Sequence, residues 1–422
     1  MPAASQSRIL RALRHRNYRL FFGGQTVSLV GTWITRIATA WLVYRLTHSA
    51  FLLGLVGFAG QIPTTFLAPI AGVFVDRWNR HHVLLVTQVL SLLQSAALAV
   101  LTFTGVITVW EIVALQTFQG VINAFDTPAR QAFVVTMIED RADLGNAIAL
   151  NSTMVNASRI VGPSVGGLLI AAVGEGWCFA VDAVSYLAVI ASLLAMRLPA
   201  VAPRALGTRV REELMSGFRY VRDVRQIRTI LVLLAVVSMA GMPYSVLMPA
   251  VASTVLHGGA HTYGFLMTAA GAGALAGALY LAGRVSVNGL ERLMWRATIA
   301  FGLGLIAFAF SRSIPLSLVI LLFIGAGFMI QLASANTIIQ TVVDEMFRGR
   351  VMAFYAMAFL GTAPIGSILA GIIAEHIGTP FTIAIGGLAC AVAGVAFARW
   401  TPALLEQGTV TADAPAEVRT EP

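Results

Sequence analysis

The stretch Asp76-Arg77-Trp78-Asn79-Arg80-His81-His82 packs five titratable side chains into seven positions, with long apolar runs on either side. Four more charged residues, Arg36, Asp126, Arg159 and Asp182, lie inside apolar runs, and Arg130 follows Asp126 by four positions. Carboxylates and guanidiniums in such surroundings can form a structural ion pair, hold a charged small molecule, or take up and release a proton as neighbouring charge changes. Catalytic chemistry needs more than this. A polytopic membrane enzyme, the alternative of another class, would show a nucleophile–base set or histidines and carboxylates at helical spacing. Here His48, His257, His261 and His376 fall in or near joints between apolar runs. Cys178 and Cys390 have no metal-like spacing. No metal, cofactor or enzymatic activity is expected.

The elements that position these charges follow from composition. Of 422 residues, 58% are hydrophobic and 11% charged, with a mean hydropathy of +0.81. A soluble domain carries about 25% charged residues. Too little polar surface remains to cover a soluble body, and a bilayer accounts for the excess. The net charge of +9 therefore does not imply nucleic acid. A membrane-crossing helix needs about 20 apolar residues. Candidate spans fall at 18–44, 51–75, 83–104, 109–135, 144–173, 177–196, 229–254, 262–283, 293–311, 315–342, 351–374 and 379–400. The first is too long for a cleaved signal. All 28 basic residues are arginine. With the N-terminus inside, twenty-four fall on the inner side and only Arg45 and Arg312 outside. Positive residues stay inside, so both termini are expected in the cytoplasm.

The chain divides into a basic segment (1–17), a first six-helix half (18–196), a linker (197–228), a second half (229–400) and a tail (401–422) expected to be disordered. In the linker Val210, Leu214, Phe218, Val221, Val224 and Ile227 recur at helical spacing. They predict an amphipathic helix on the inner leaflet. The halves are related. "GPSVGGLLIAAVG" (162–174) aligns with "GSILAGIIAEHIG" (366–378), bringing Gly162, Gly167 and Gly174 onto Gly366, Gly371 and Gly378. Two six-span repeats form a transporter architecture with its site between them near the midplane.

The stretch Gly72, Asp76, Arg77, Arg80, His81 resembles the Gly-x-x-x-Asp-Arg-x-x-Arg-Arg signature of the major facilitator superfamily, histidine replacing the last arginine. Gly72 would admit a neighbouring helix, and Asp76 would face an arginine or a helix N-terminus. Such contacts form in one conformation only and would bias alternating access. The equivalent loop of the second half, "GRVSVNGLERL" (283–293), lacks the Asp-Arg pair. The segments 13–34 and 123–167 resemble the branch that contains the enterobactin exporter. Ser158, Gly162, Pro163, Gly166 and Gly167 resemble the antiporter signature Gly-x-x-x-Gly-Pro-x-x-Gly-Gly, with serine first, expected to make a tight contact between the halves. In this superfamily that signature accompanies export. The resemblance implies an all-α, twelve-helix major facilitator fold in a bacterial inner membrane. It implies a monomer that exports a small amphipathic molecule (siderophore, drug or metabolite) in exchange for protons. An importer or uncoupled facilitator is the alternative on the same fold. One departure concerns coupling: the Arg-x-x-Gln-Gly of many proton-coupled members reads Gln116-Thr-Phe-Gln119-Gly120.

The intramembrane charges fall in the first half, whereas the second offers neutral Gln331, Asn336 and Gln340. Pro128 is expected to kink the fourth span, and Arg130 can fold back on Asp126. That pair reads as a structural ion pair at the inner end of a bent helix, or as a protonation or gating group. Asp182 is a further coupling candidate. Arg36 and Arg159 call for a carboxylate, carbonyl oxygens or an anionic substrate. Glu111 reads as a helix N-terminal charge.

Overall fold

The computed structural model describes residues 10–138, 140–197, 210–284 and 286–412, all helix and short connections. The long helices are α1 (Arg16–Thr47), α2 (Ala50–Arg77), α3 (Arg80–Phe103), α4 (Val109–Thr136), α5 (Leu144–Val173) and α6 (Glu175–Leu194). The linker helix (Val210–Asp223) follows. Then come α7 (Arg225–Val255), α8 (Ala260–Ala282), α9 (Leu290–Phe310), α10 (Ile314–Val342), α11 (Arg348–Ile377) and α12 (Thr379–Ala412). Among the described residues eleven helices are long and apolar enough to cross a membrane. The remaining long helix, α4, matches them in length but carries Glu111, Asp126 and Arg130. Apolar solvent leaves the backbone no other partner, so each span satisfies its own hydrogen bonds.

Two helices depart from the uninterrupted spans expected. Wide, five-residue turns occupy Val237–Gly241 and Val251–Val255 in α7 and Met357–Gly361 in α11. In α7 the first is followed by Pro243, whose missing N–H cannot continue the ladder. The linker helix ends at Asp223, where Val224 turns extended; Ile227, on the same sequence stripe, is buried in α7. The linker helix does not lie free. Tyr220 stacks on Phe347 at 4.4 Å, Arg350 donates to Ser216 at 2.8 Å, and Phe218 meets Phe354. Helix α12 runs to Ala412, into the tail expected to lack structure. Residues 1–9 and 413–422 lie outside the described residues.

Helices α1–α6 pack among themselves, as do α7–α12, with α5 on α8 and α2 on α11 as the main contacts between the two sets. The repeat read from the sequence reappears as equivalent packing. A Cβ on Gly162 would sit 2.3 Å from the Trp33 Cβ of α1, and one on Gly366 would sit 2.1 Å from the Met239 carbonyl of α7. Gly167 meets Gly264 of α8, and Gly371 meets Gly54 of α2; a Cβ would fall 2.9 and 3.1 Å from those Cα atoms. Gly174 and Gly378 end α5 and α11 at φ +88° and +85°, a conformation glycine adopts without strain.

These two glycine seams lie towards the face that carries the joints at His48 and His257, which we call the far face. Around them Glu375 of α11 accepts from Ser49 Oγ and the Phe51 amide at the start of α2, both at 3.1 Å. Arg45 pairs with Glu175 at 2.8 Å. At the other, arginine-rich face the two sets part, and an internal cavity opens between them, bordered there by Arg130, Met215, Phe218 and Phe354.

A leucine at Gly264 cannot fit beside Pro163, whose carbonyl would lie 2.5 Å from its Cβ. In a T39C background, Gly264→Leu should raise far-face labelling of that cavity cysteine by a membrane-impermeant maleimide. About ten-fold corresponds to a shift of ~1.4 kcal/mol. Native Cys178 and Cys390 are buried. An unchanged labelling rate would contradict the seam's role.

Candidate functional site

The cavity measures about 1590 Å³. Its walls differ in chemistry. From α1, α3, α4 and α6 come Gln25, Thr32, Gln88, Ser91, Gln94, Gln116, Gln119 and Asn123, together with Arg36, Asp126, Arg130 and Asp182. Arg159 of α5 completes the charged set. From α7, α8 and α11 come Met242, Tyr244, Val246, Tyr263, Met267, Met357 and Leu360. One wall donates and accepts hydrogen bonds, and the other is oily and adaptable. The wide turn of α11 supplies Met357, Leu360 and Gly361 to the cavity, and the first wide turn of α7 ends at Gly241, next to the lining residue Met242. Such turns recur at functional sites because they re-aim side chains.

Asp126 is 6% exposed and fully engaged. Its Oδ1 accepts from Thr87 Oγ1 at 3.0 Å and Gln88 Nε2 at 2.9 Å. Its Oδ2 faces Arg130 Nη2 at 3.5 Å, one turn further along α4. This geometry ties α4 to α3 at the arginine-rich end, with the charge balanced inside the cluster.

Asp182 is differently placed. It is 1% exposed, yet borders the cavity. Ser95 donates to Oδ2 at 2.8 Å and Ser185 to Oδ1 at 3.4 Å. Among the described residues no cation pairs with it. Helix α1 comes so close that a Cβ on Gly31 would lie 2.7 Å from its Oδ1. One turn along α6, Tyr186 reaches Thr32 of α1, oxygen to oxygen 3.5 Å.

Arg36 and Arg159 face the same space. Arg36 lies over the Trp33 ring at 4.6 Å. Gln116, at the arginine position of the Arg-x-x-Gln-Gly pattern, donates to Thr39 Oγ1 at 3.3 Å, a neutral hydrogen-bonding contact. Gln331, Asn336 and Gln340 do not border the cavity. Gln331 is buried in α10, and Gln340 donates to Asn336 on the same helix. The second half's contribution is instead aromatic and methionine-rich. In the glutamine belt of α1, α3 and α4 the sequence reading names Gln116 and Gln119 but misses Gln25, Gln88 and Gln94, although glutamines recurring within apolar runs are a readable signal.

The stretch from Gly72 to His82 lies at the arginine-rich end of α2 and the start of α3. The side chain of Asp76 lies outside the described residues. Arg77 is exposed, and Asn79 caps α3 through the His81 and His82 amides. His81 Nε2 lies 2.9 Å from the Leu193 carbonyl of α6. A Cβ on Gly72 would meet nothing within 4 Å among the described residues. The antiporter-like stretch divides its contacts. Gly162 and Gly166 pack on α1 of their own half, whereas Gly167 and the Pro163 carbonyl touch α8 of the other, where Ser164 Oγ also lies 2.7 Å from Thr268 Oγ1 and Thr268 donates to the Ile160 carbonyl. Ser158 is buried, and its hydroxyl has no hydrogen-bond partner among the described residues. Glu111 and Thr108 form a capping box at the start of α4.

Residues 8–417 match a family described as transmembrane secretion effectors, of the major facilitator superfamily. The chain belongs to that family. It is 26% identical to the staphyloferrin A transporter of Staphylococcus aureus, over 88% of this chain and 92% of the relative. It is 30% identical to the multidrug efflux pump Tap of Mycolicibacterium fortuitum, over 82% and 87%. Its fold is similar to the nucleoside transporter NupG (TM-score 0.68, 15% identity, 93% and 99% covered). It is also similar to a POT family transporter in complex with 5-aminolevulinic acid (TM-score 0.73, 10% identity, 92% and 96% covered). The chain is thus a multi-pass membrane transporter of the efflux type acting on small molecules, and not an enzyme.

Asp126→Ala would strand Thr87, Gln88 and Arg130 together. We expect the detergent-purified variant to lose ~2–4 kcal/mol of stability, read as a lower thermal midpoint. Asp126→Asn, which keeps an acceptor oxygen, should lose less. A midpoint unchanged in both would contradict the structural role of this cluster.

Proposed function

We propose that this protein exports an amphipathic small molecule from the cytoplasm across a bacterial inner membrane in exchange for protons, working as a monomer by alternating access. Asp182 is the coupling group. The observation that carries this reading is its carboxylate, buried beside the cavity with hydroxyl donors and no cation among the described residues. Intramembrane carboxylates so placed mark proton relays, since keeping an unpaired charge out of water is costly. Asp126, by contrast, holds a fixed partner in Arg130 and serves the fold.

The arginine-rich face is the cytoplasmic one, because positively charged residues stay inside; both termini then lie there. On that assignment the cavity opens inward, and the far-face seams are the closed gate. The loop of Gly72, Asp76, Arg77 and Arg80 acts in the opposite state, when the cytoplasmic ends close and a helix comes to lie against Gly72. Export from this state begins with capture of a molecule from the cytoplasm or inner leaflet. The polar wall of the first half and the oily wall of the second suit a molecule with one hydrogen-bonding side. Relatives named as siderophore and drug transporters agree with substrates of that kind. A self-contained cavity within one chain supports the monomer.

The test uses inside-out vesicles energised to an acid interior, whose pH is followed by a quenched dye. A panel of siderophores, cationic drugs and macrolides is added in turn. We expect at least one compound to release protons only with the intact protein. Asp182→Asn should abolish that release while leaving substrate counterflow intact. Proton release unchanged in Asp182→Asn would overturn the assignment of the coupling group. Counterflow with no proton movement in the intact protein would favour an uncoupled facilitator.

A further inference from the structure

Proton exchange through Asp182 leaves Arg36 and Arg159 without a task. Both reach the cavity, and their charges lie within interaction range of one another. Arg36 rests on Trp33 and near Tyr263, and Tyr244 lies near Arg159. Among the described residues neither guanidinium has an ion pair. The two cavity carboxylates are engaged elsewhere: Asp126 by Arg130, Thr87 and Gln88, and Asp182 by Ser95 and Ser185. Two like charges facing one cavity without a counter-ion repel each other and are costly at membrane depth. An anion between them removes both penalties. Guanidiniums bind carboxylates through paired, charge-assisted hydrogen bonds, and neither can shed its proton to escape the cost. The facing wall, with Met242 and Met267 beside the tyrosines, fits an apolar or aromatic body.

We propose that the substrate is a carboxylate-bearing amphiphile whose anionic group is held by Arg36 and Arg159; this rests on the transport reading above and adds its substrate class. A cationic drug would meet repulsion at the same place. Filling the gap between the guanidiniums with negative charge changes the field in the first half of the cavity, so substrate binding and the state of Asp182 become linked through space.

The test is binding to the purified full-length protein in nanodiscs, read by energy transfer from tryptophan to dansyl. Three probes share one fluorophore and differ in the end group: dansyl-aminohexanoate, its neutral primary amide, and the cationic dansyl-cadaverine. The carboxylate should bind at least ~ten-fold more tightly than the amide, and the amine most weakly. Arg36→Gln and Arg159→Gln should each reduce carboxylate binding towards that of the amide, with amide binding unchanged as the sign of an intact fold. Arg36→Lys should recover part of the preference. Equal affinity for carboxylate and amide in the intact protein overturns the proposal, as does a preference that survives in the double glutamine variant. A glutamine variant that loses all three probes is replaced by Arg36→Lys and Arg159→Lys, for which an undiminished carboxylate-to-amide ratio counts against the proposal and a reduced ratio supports it. Vesicle counterflow separates the two readings. Movement of the amide without carboxylate preference defeats only the anion assignment. Selective carboxylate binding with no movement of any probe defeats the transport mechanism and leaves the anion site standing.

Discussion

Where Gly167 meets Gly264 and Gly371 meets Gly54, helix backbones of the two halves lie too close for any side chain between them. Lipid tails are as apolar as leucine, so helices in a bilayer gain little by merely burying oil against each other. They gain by close packing of small residues. Here that packing is concentrated towards the far face, and the cavity exists because it does not continue along the whole length of the helices. A seam of this kind is also brittle. It is either in register or apart, which is what a two-state gate requires.

The cavity's chemistry divides along the same line as the packing. The first half brings the hydrogen-bonding side chains and the charges. The second brings methionines and aromatic rings, displayed where α7 and α11 widen their turns. A molecule bound between them touches both halves at once, so its binding energy can act on their relative position. Buried carboxylates in the first half then fall into two kinds. Asp126 sits in a closed set of donors with its own arginine, and it holds α3 to α4. Asp182 borders the cavity, and its side-chain donors among the described residues are the hydroxyls of Ser95 and Ser185.

Much of this architecture was legible in the sequence. Span 144–173 coincides with α5, and most other spans agree within a few residues, because the length of an apolar run is set by bilayer thickness. The glycine repeat between 162–174 and 366–378 was readable as symmetry. Its meaning, one seam and one positive-φ glycine cap per half, needed coordinates. The charged candidates were visible as charges in oil, but spacing could not rank them. Asp126 and Asp182 differ in what lies across the helix interface, Gln88 in one case and Ser95 in the other, and those partners are remote in sequence. The wide turns of α7 and α11 leave no mark in hydropathy, which sees only an unbroken apolar run across each of them. The Arg-x-x-Gln-Gly departure at Gln116 was visible, and the structure gives it a place: a neutral contact to Thr39.

The central claim is that the parted arginine-rich ends are one of two states and that Asp182 sets the balance between them. It is tested most directly by distances between spin labels on cysteines at Ile148 and Met346, both exposed at that face, in reconstituted protein across pH. The account predicts two distance populations whose ratio changes with pH in the parent, and a ratio independent of pH once Asp182 is asparagine. A single distance at every pH, or an unaltered pH response in the asparagine variant, would contradict it.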